Sequence, residues 1–440
     1  MNRHLKKEND HRRFWLLLAV LLSLLFSRYA LQVNIPRICF LVMIAVIAVL
    51  GNQAEIMALC ISLIPLHESV DFYYSIVICI AAYVLKYYRR IRINLSVVLV
   101  LMMMVWELLH SFQRGFYPIT FVTSVTPLIA IAILMSSDIS ELDYDFMVRA
   151  LAVTAAATCV TLFGRVLYLS GFQFVKAVST LRRLGLTWDE SQKRKLTAGG
   201  EIHPNALGVI SVLTSTGLLQ IKSVGRSHKL DMLLVMIMLV FGTLTSSRTF
   251  LACLAMMILL LIVGQRGNWH QKVRFMGSII VTIFVVLLLL SRFFPTLLEY
   301  YLGRFLVADL TTGRNNLMRV YHSFIVDNPD VFFFGVGLQD FGQKVTEIYR
   351  VARVVPHNSI QEIIIAWGLP GLLLFAALIA MIIRMSRKHT PRHILLNYIP
   401  LIILLFKSMA GQLLTSSYSM LTLSYAYLSL CQDFTQRKER

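Results

Sequence analysis

Apolar runs of helical length recur along nearly the whole chain, separated by short polar joints, and this pattern predicts a bundle of membrane-spanning helices. A span needs roughly 20 mainly apolar residues. Such runs fall near residues 14–30, 36–50, 54–66, 72–88, 93–110, 118–135, 146–170, 204–222, 231–247, 249–264, 275–294, 358–383, 394–415 and 417–431. They make fourteen spans, or twelve if the short pair over 36–66 is a re-entrant hairpin, and every later orientation is the same in both cases. The runs lack the alternation of a lipid-facing barrel, and helices satisfy their own backbone groups. The expected fold class is therefore all-α: a polytopic transmembrane helical bundle of about 12–14 spans with a large, partly helical extracytoplasmic loop. No internal repeat or low-complexity linker divides the chain, which reads as a single integral membrane domain over 1–440.

Orientation follows from lysine and arginine, which bias short loops toward the cytoplasm. Basic clusters occur at 1–13, 86–92, 222–229, 265–274, 384–393 and 437–440, and the spans above place all six on one side, with both termini inside. The acidic loop 136–145 falls on the same side, but acids contribute little to the rule. The first apolar run resembles a signal sequence, yet only further spans follow it, so 14–30 is expected to stay as an uncleaved helix.

Composition agrees, with 57% hydrophobic and 15% charged residues. The net charge of +19 does not point to nucleic acid, because 22 of the 42 basic residues lie in the six inner clusters, where topology and anionic lipid account for them. The six cysteines lie in or at the ends of apolar runs without C-x-x-C spacing, so neither a disulfide framework nor a zinc site is expected.

Two outer segments are long enough to hold chemistry, 171–203 and 295–357. The larger carries six basic and six acidic residues and internal punctuation. Thr311-Thr312-Gly313 predicts the start of a helix over about 314–326, with Leu317, Val320, Tyr321 and Phe324 on one face and Asn328-Pro329 ending it. The aromatic, glycine-punctuated stretch Phe332-Phe333-Phe334-Gly335-Val336-Gly337 suits a membrane interface, and a second short helix is expected over 338–350.

Four places in order along residues 200–371 carry a resemblance. They are His203-Pro204-Asn205-Ala206-Leu207 opening a span, Thr245-Ser246-Ser247-Arg248-Thr249 between two spans, Thr312-Gly313-Arg314, and His357-Asn358 followed after nine residues by Gly368-Leu369-Pro370-Gly371. The last has the form H-N-x9-G-x-x-G. Together they resemble the bacterial O-antigen ligase and O-antigen polymerase superfamily, while the N-terminal half matches only as a series of spans. The resemblance implies a GT-C-like membrane enzyme in the bacterial cytoplasmic membrane. It would transfer glycan from an undecaprenyl-diphosphate-linked donor to a glycan acceptor at the outer face, with other polysaccharide-assembly proteins as further partners.

The residues suit that chemistry. Breaking the bond to a diphosphate builds negative charge, which guanidinium groups match, so Arg248 and Arg314 form the expected catalytic clamp. The acceptor hydroxyl must lose a proton, and His357 is the expected base, kept neutral by nearby arginines. Asn358, His203, Asn205, Lys407 and Arg194 are the expected substrate-binding residues; Lys407 is included because an intramembrane cation marks a functional site by default. The basic set Arg182, Arg183, Lys193, Arg194 and Lys195 has the charge to attract an anionic glycan or diphosphate. No clustered carboxylates of the D-x-D kind occur in the outer loops, so neither metal nor cofactor is expected.

Each residue also has a structural reading. His357 and His203 could be interfacial or helix-start residues, Arg248 a cation ending a helix, Arg314 a solvated charge and Lys407 a snorkelling side chain. Arg149 and Arg165 read as span-end anchors. Gly368, Pro370 and Gly371 read as architecture, since proline frees a backbone carbonyl and glycine permits close approach. At the level of function, a polymerase of lipid-linked repeat units leads, with a ligase to lipid A core or another acceptor next. A lipid-linked sugar transporter or flippase comes third, followed by a scaffold without catalysis.

Overall fold

A computed structural model of the chain describes residues 11–114, 118–137, 142–181, 183–189, 194–197, 202–264, 314–338, 356–390, 394–414 and 416–434, with isolated helical positions between 270 and 303. Its helices are α1 (Arg12–Tyr29), α2 (Arg37–Leu50), α3 (Gln53–Ser62), α4 (Phe72–Tyr87), α5 (Leu95–Arg114), α6 (Pro118–Ser136), α7 (Tyr144–Leu169) and α8 (Phe174–Thr180). An antiparallel hairpin follows, β1 (Leu186–Asp189) with β2 (Arg194–Thr197), pairing Leu186 with Thr197 and Asp189 with Arg194. Then come α9 (Pro204–Ser223), α10 (Lys229–Leu244), α11 (Arg248–Gly264), α12 (Arg314–Asp327), α13 (Pro329–Phe334), α14 (Ser359–His389), α15 (Leu395–Ser408) and α16 (Ser417–Leu430).

The protein is a polytopic helical membrane protein, as its hydropathy predicts. Among the described residues, four helices are long and apolar enough to cross a bilayer: Leu95–Phe112, Tyr144–Leu169, Pro204–Ser223 and Ser359–His389. Shorter apolar helices flank them, and α2 and α3, of 14 and 10 residues, rise only about 21 and 15 Å at 1.5 Å per residue. Neither reaches across roughly 30 Å of hydrocarbon. The joint between them is built to turn, because Asn52 and Glu55 form a reciprocal capping box at the start of α3. Most of the expected span at 275–294 and of the expected helix at 338–350 lies outside the described residues. The segment 171–203, expected as an outer loop, holds α8 and this hairpin.

Burial separates an inner from an outer layer. In α9, 83% of the apolar window is buried, and in α7 72%, against 33% for α5, so α7 and α9 form the hub and α5 turns much of its surface to lipid. At one end of the hub a polar knot ties four helices together. Tyr144 donates to Gln220 Oε1 at 2.7 Å, Gln220 Nε2 donates to Ser429 Oγ at 3.0 Å and to the Leu396 carbonyl at 2.6 Å, and Asn397 donates to the Gln432 carbonyl at 2.6 Å. Nearby, Arg149 is no anchor in the headgroups. Its guanidinium makes a two-pronged pair with Asp231 at 3.0 and 3.2 Å and also donates to the Arg226 carbonyl, fastening α7 to α10. Asp231 is almost wholly buried, and a carboxylate so placed needs a paired, hydrogen-bonded cation.

Helix α14 is broken at Gly368, whose φ of +65° and ψ of −165° are open essentially to glycine alone. Pro370 has no N–H to give the Ala366 carbonyl, which is taken instead by Gly337 N–H at 2.7 Å. Val336 N–H takes the Ile365 carbonyl at 2.8 Å, and the Trp106 indole takes the Trp367 carbonyl at 2.9 Å. The break is thus a dock for the segment after α13. The approach is close on both sides: a Cβ at Gly335 would meet the Ala366 oxygen at 2.6 Å, and one at Gly368 would meet the Phe333 oxygen at 2.6 Å. Below it, the buried Glu107 accepts from the Trp367 indole at 2.6 Å and from Leu338 N–H at 3.3 Å. The predicted interfacial stretch 332–337 therefore has two roles. Phe333 and Phe334 are exposed, while the glycines pin it to α14.

Candidate active site

The expected site residues sit at helix ends because their chain segments reverse there. His203 is the N-cap of α9, and its Nδ1 accepts from Asn205 N–H at 3.2 Å. Pro204 occupies the first turn, where its missing N–H costs nothing. The turn 245–248 joins α10 to α11 through Ser246 at φ +48°, and Ser247 Oγ accepts from Phe250 N–H at 3.2 Å. Arg248 therefore begins a helix and does not end one, so the favourable dipole argument for it is reversed. Arg183 staples this turn: its Nε donates to the Thr245 carbonyl at 3.1 Å and its Nη2 to Asn205 Oδ1 at 3.0 Å, while Ser247 donates to the same Oδ1 at 2.8 Å. That guanidinium is a structural clamp of the turn.

Arg314 opens α12, as the Thr-Gly-Arg spacing predicts, and donates to the Ala410 carbonyl at 3.2 Å. Asn358 caps α14, its Oδ1 accepting from Ile360 and Gln361 N–H at 2.9 and 3.3 Å, and so presents His357 just before the first turn. The loop 409–416 is held against this end. Glu362, fully buried, accepts from Leu413 and Leu414 N–H at 2.7 and 3.1 Å, and Ser359 donates to the Gly411 carbonyl at 3.1 Å. Gln361 reaches across to the Met318 carbonyl at 2.9 Å, fixing α12 to α14.

These ends enclose a polar cavity of about 330 Å³. His203, Asn205, Arg314, His357 and Lys407 all line it, together with His67, Glu68, Thr249, Gln412, Ser416 and Tyr418. Of the expected residues, Asn358 and Arg248 are not among the lining side chains, and Arg194 lies on β2 with its side chain outside the described residues. Lys407 is buried near the end of α15. Its ammonium donates to Ser419 Oγ at 2.6 Å and to the Gln412 carbonyl, and lies 5.0 Å from the Tyr418 ring centre. Two of its three donors are held this way, leaving one for a bound anion. Helices α9, α11, α12, α14 and α16 all begin at this cavity, so five positive dipole ends add to the cations. His357 feels its surroundings. Burial first, then Arg314, His203 and Lys407, lower its pKa from the ordinary 6.5, so the ring is neutral and able to accept a proton at neutral pH.

Sequence reading missed His67, Glu68 and Tyr418. The first two lie in a short turn between apolar runs and carry no motif spacing; the only available signal was a His-Glu pair on the side already assigned outside.

A cavity of ligand size, lined by Arg314, Lys407 and three histidines at converging helix starts, has the charge to hold an anionic group. Residues 233–376 match the family model described as O-antigen ligase, a stretch running from α10 into α14 and including the Ser-Arg turn, Arg314 and His357. That match supports the O-antigen ligase and polymerase superfamily, with glycosyl transfer on lipid-linked glycans as its general activity. No curated protein matches the chain.

Proposed function

We propose that the protein polymerises lipid-linked oligosaccharide repeat units of a capsule, O-antigen or exopolysaccharide at the outer face of the cytoplasmic membrane. The donor is an undecaprenyl-diphosphate-linked glycan and the acceptor a sugar hydroxyl. The observation that carries this reading is the shared cavity, in which a neutral histidine stands among Arg314, Lys407 and helix N-termini. Arg314 and Lys407 hold the diphosphate and stabilise the charge that develops as the sugar–oxygen bond breaks. His357 takes the proton of the acceptor hydroxyl as its oxygen attacks the anomeric carbon, and the displaced diphosphate leaves with the bonding pair. A single displacement inverts the anomeric centre. No step needs a metal, because fixed cations serve the leaving group. Arg248, one residue from the lining Thr249, supports the helix start and is the weaker partner of the clamp.

The position of the cavity at helix ends supports chemistry at one face over alternating access at the bilayer midplane. A ligase remains the second reading, favoured by the match to a family model for O-antigen ligase. The two part in one assay. Purified protein given lipid-linked repeat units alone yields a ladder of longer lipid-linked chains if it polymerises, and nothing longer until a separate acceptor is added if it ligates. In either case His357→Ala lowers turnover by about 10²- to 10⁴-fold, the usual share of a general base. Normal turnover in both His357→Ala and Arg314→Ala would remove the site assignment.

A further inference from the structure

The cations of the cavity suit a diphosphate, but its walls also carry a carboxylate. Among the described residues, Glu68 is the only acid lining the cavity. It stands in the turn between the Ile64–Leu66 turn of 3-10 helix and α4, next to His67. His67 Nδ1 lies 2.8 Å from the Ile64 carbonyl, which can only accept, so Nδ1 carries a proton. Nε2 then faces Glu68 Oε1 at 3.3 Å. The ring and the carboxylate thus lie side by side in the same turn. His67 is almost wholly buried, its ring 4.9 Å from that of Tyr418, while the Glu68 side chain is 34% exposed. The pair is therefore a buried anchor carrying a carboxylate that reaches the cavity.

A carboxylate repels a diphosphate, so Glu68 belongs to a part of the cavity that the leaving group does not fill. Glycosyl transfer brings a second ligand to the same space, an uncharged sugar rich in hydroxyl donors, and an ionised carboxylate offers only acceptors. We infer that Glu68, oriented by His67, is the acceptor-sugar contact of this cavity, taking hydrogen bonds from hydroxyls of the incoming sugar and setting acceptor recognition. Tyr418, whose ring lies 4.9 Å from the His67 ring and 5.0 Å from the Lys407 ammonium, then borders both the acceptor side and the diphosphate side.

The inference rests on the glycosyl-transfer reading, and one experiment separates their failures. Purified full-length protein is given lipid-linked repeat unit as donor and a soluble repeat-unit oligosaccharide as varied acceptor. Glu68→Gln raises the acceptor KM about tenfold or more while kcat at saturating acceptor and the donor KM stay within about threefold. His67→Gln moves the acceptor KM in the same direction by less, and Glu68→Asp recovers part of it. Arg314→Met instead raises the donor KM. An acceptor KM within twofold of wild type in a Glu68→Gln protein with normal thermal unfolding overturns the assignment. So does a loss of kcat at unchanged KM, which would make Glu68 a base. Absence of transfer by the wild-type protein overturns the glycosyl-transfer reading itself, and Glu68 with it.

Discussion

His357 illustrates how a residue gains chemistry from its surroundings. In sequence it is a histidine before a helix; in space it shares a cavity with Arg314, His203 and Lys407, and burial adds to their effect. The sign of the consequence is fixed. Below its pKa the ring is imidazolium and has no lone pair for the acceptor proton; above it, the base form is present. A lowered pKa thus keeps the enzyme active at pH values where an ordinary histidine is charged, and the acid limb of log kcat/KM falls below 6.5. Replacing Lys407 by Met removes one of the charges and moves that limb upward, though only in part, because burial is the larger cause. A limb that stays in place in Lys407→Met would break the proposed coupling. Residues in linear motifs were legible: His203, Asn205, Arg314 and His357 all reach the cavity, as does the intramembrane Lys407. His67 and Glu68 were not, since their relevance comes from a fold that brings a five-residue turn beside segments more than a hundred residues away.

At the scale of elements, helix signals worked where local chemistry decides. The helix expected over 314–326 is Arg314–Asp327, ended before Pro329 as the Asn-Pro pair predicts. Gly368, Pro370 and Gly371 were legible as architecture, but their partner was not, because Gly335 and Gly337 dock on the break through backbone groups that no side-chain pattern reports. The same limit hid the hairpin, whose two strands have four residues each, and it hid Arg149, whose partner Asp231 lies three helices' worth of sequence away. The docked break makes a sharp prediction. Gly368→Ala must leave a conformation that costs a non-glycine residue about 1–3 kcal/mol, and its Cβ would also press on the Phe333 carbonyl. We expect a lower thermal unfolding temperature in detergent and new protease cleavage near Gly335–Leu338. An unchanged unfolding temperature and cleavage pattern would mean that α14 can close the break without losing the dock.

At the scale of the molecule, hydropathy and the placement of lysine and arginine reach furthest, because lipid leaves a chain few alternatives. The bundle follows from that constraint. Its orientation rests on six basic clusters and can be tested with thiol chemistry. The background is low: five of the six native cysteines are buried, and Cys39 is half-buried in α2. Two loop positions, one exposed and one half-buried, lie on opposite sides of the expected membrane. Gln173, exposed at the start of α8, belongs to the outer set, and Ser227, between α9 and α10, to the basic inner set. Gln173→Cys should react with a membrane-impermeant maleimide in intact cells, and Ser227→Cys only after permeabilisation. The reverse pattern would place the cavity in the cytoplasm, where nucleotide-linked sugars and not exported lipid-linked units would be the donors within reach. The helix starts and cations would then face a different diphosphate, so orientation decides the substrate as firmly as any residue in the cavity.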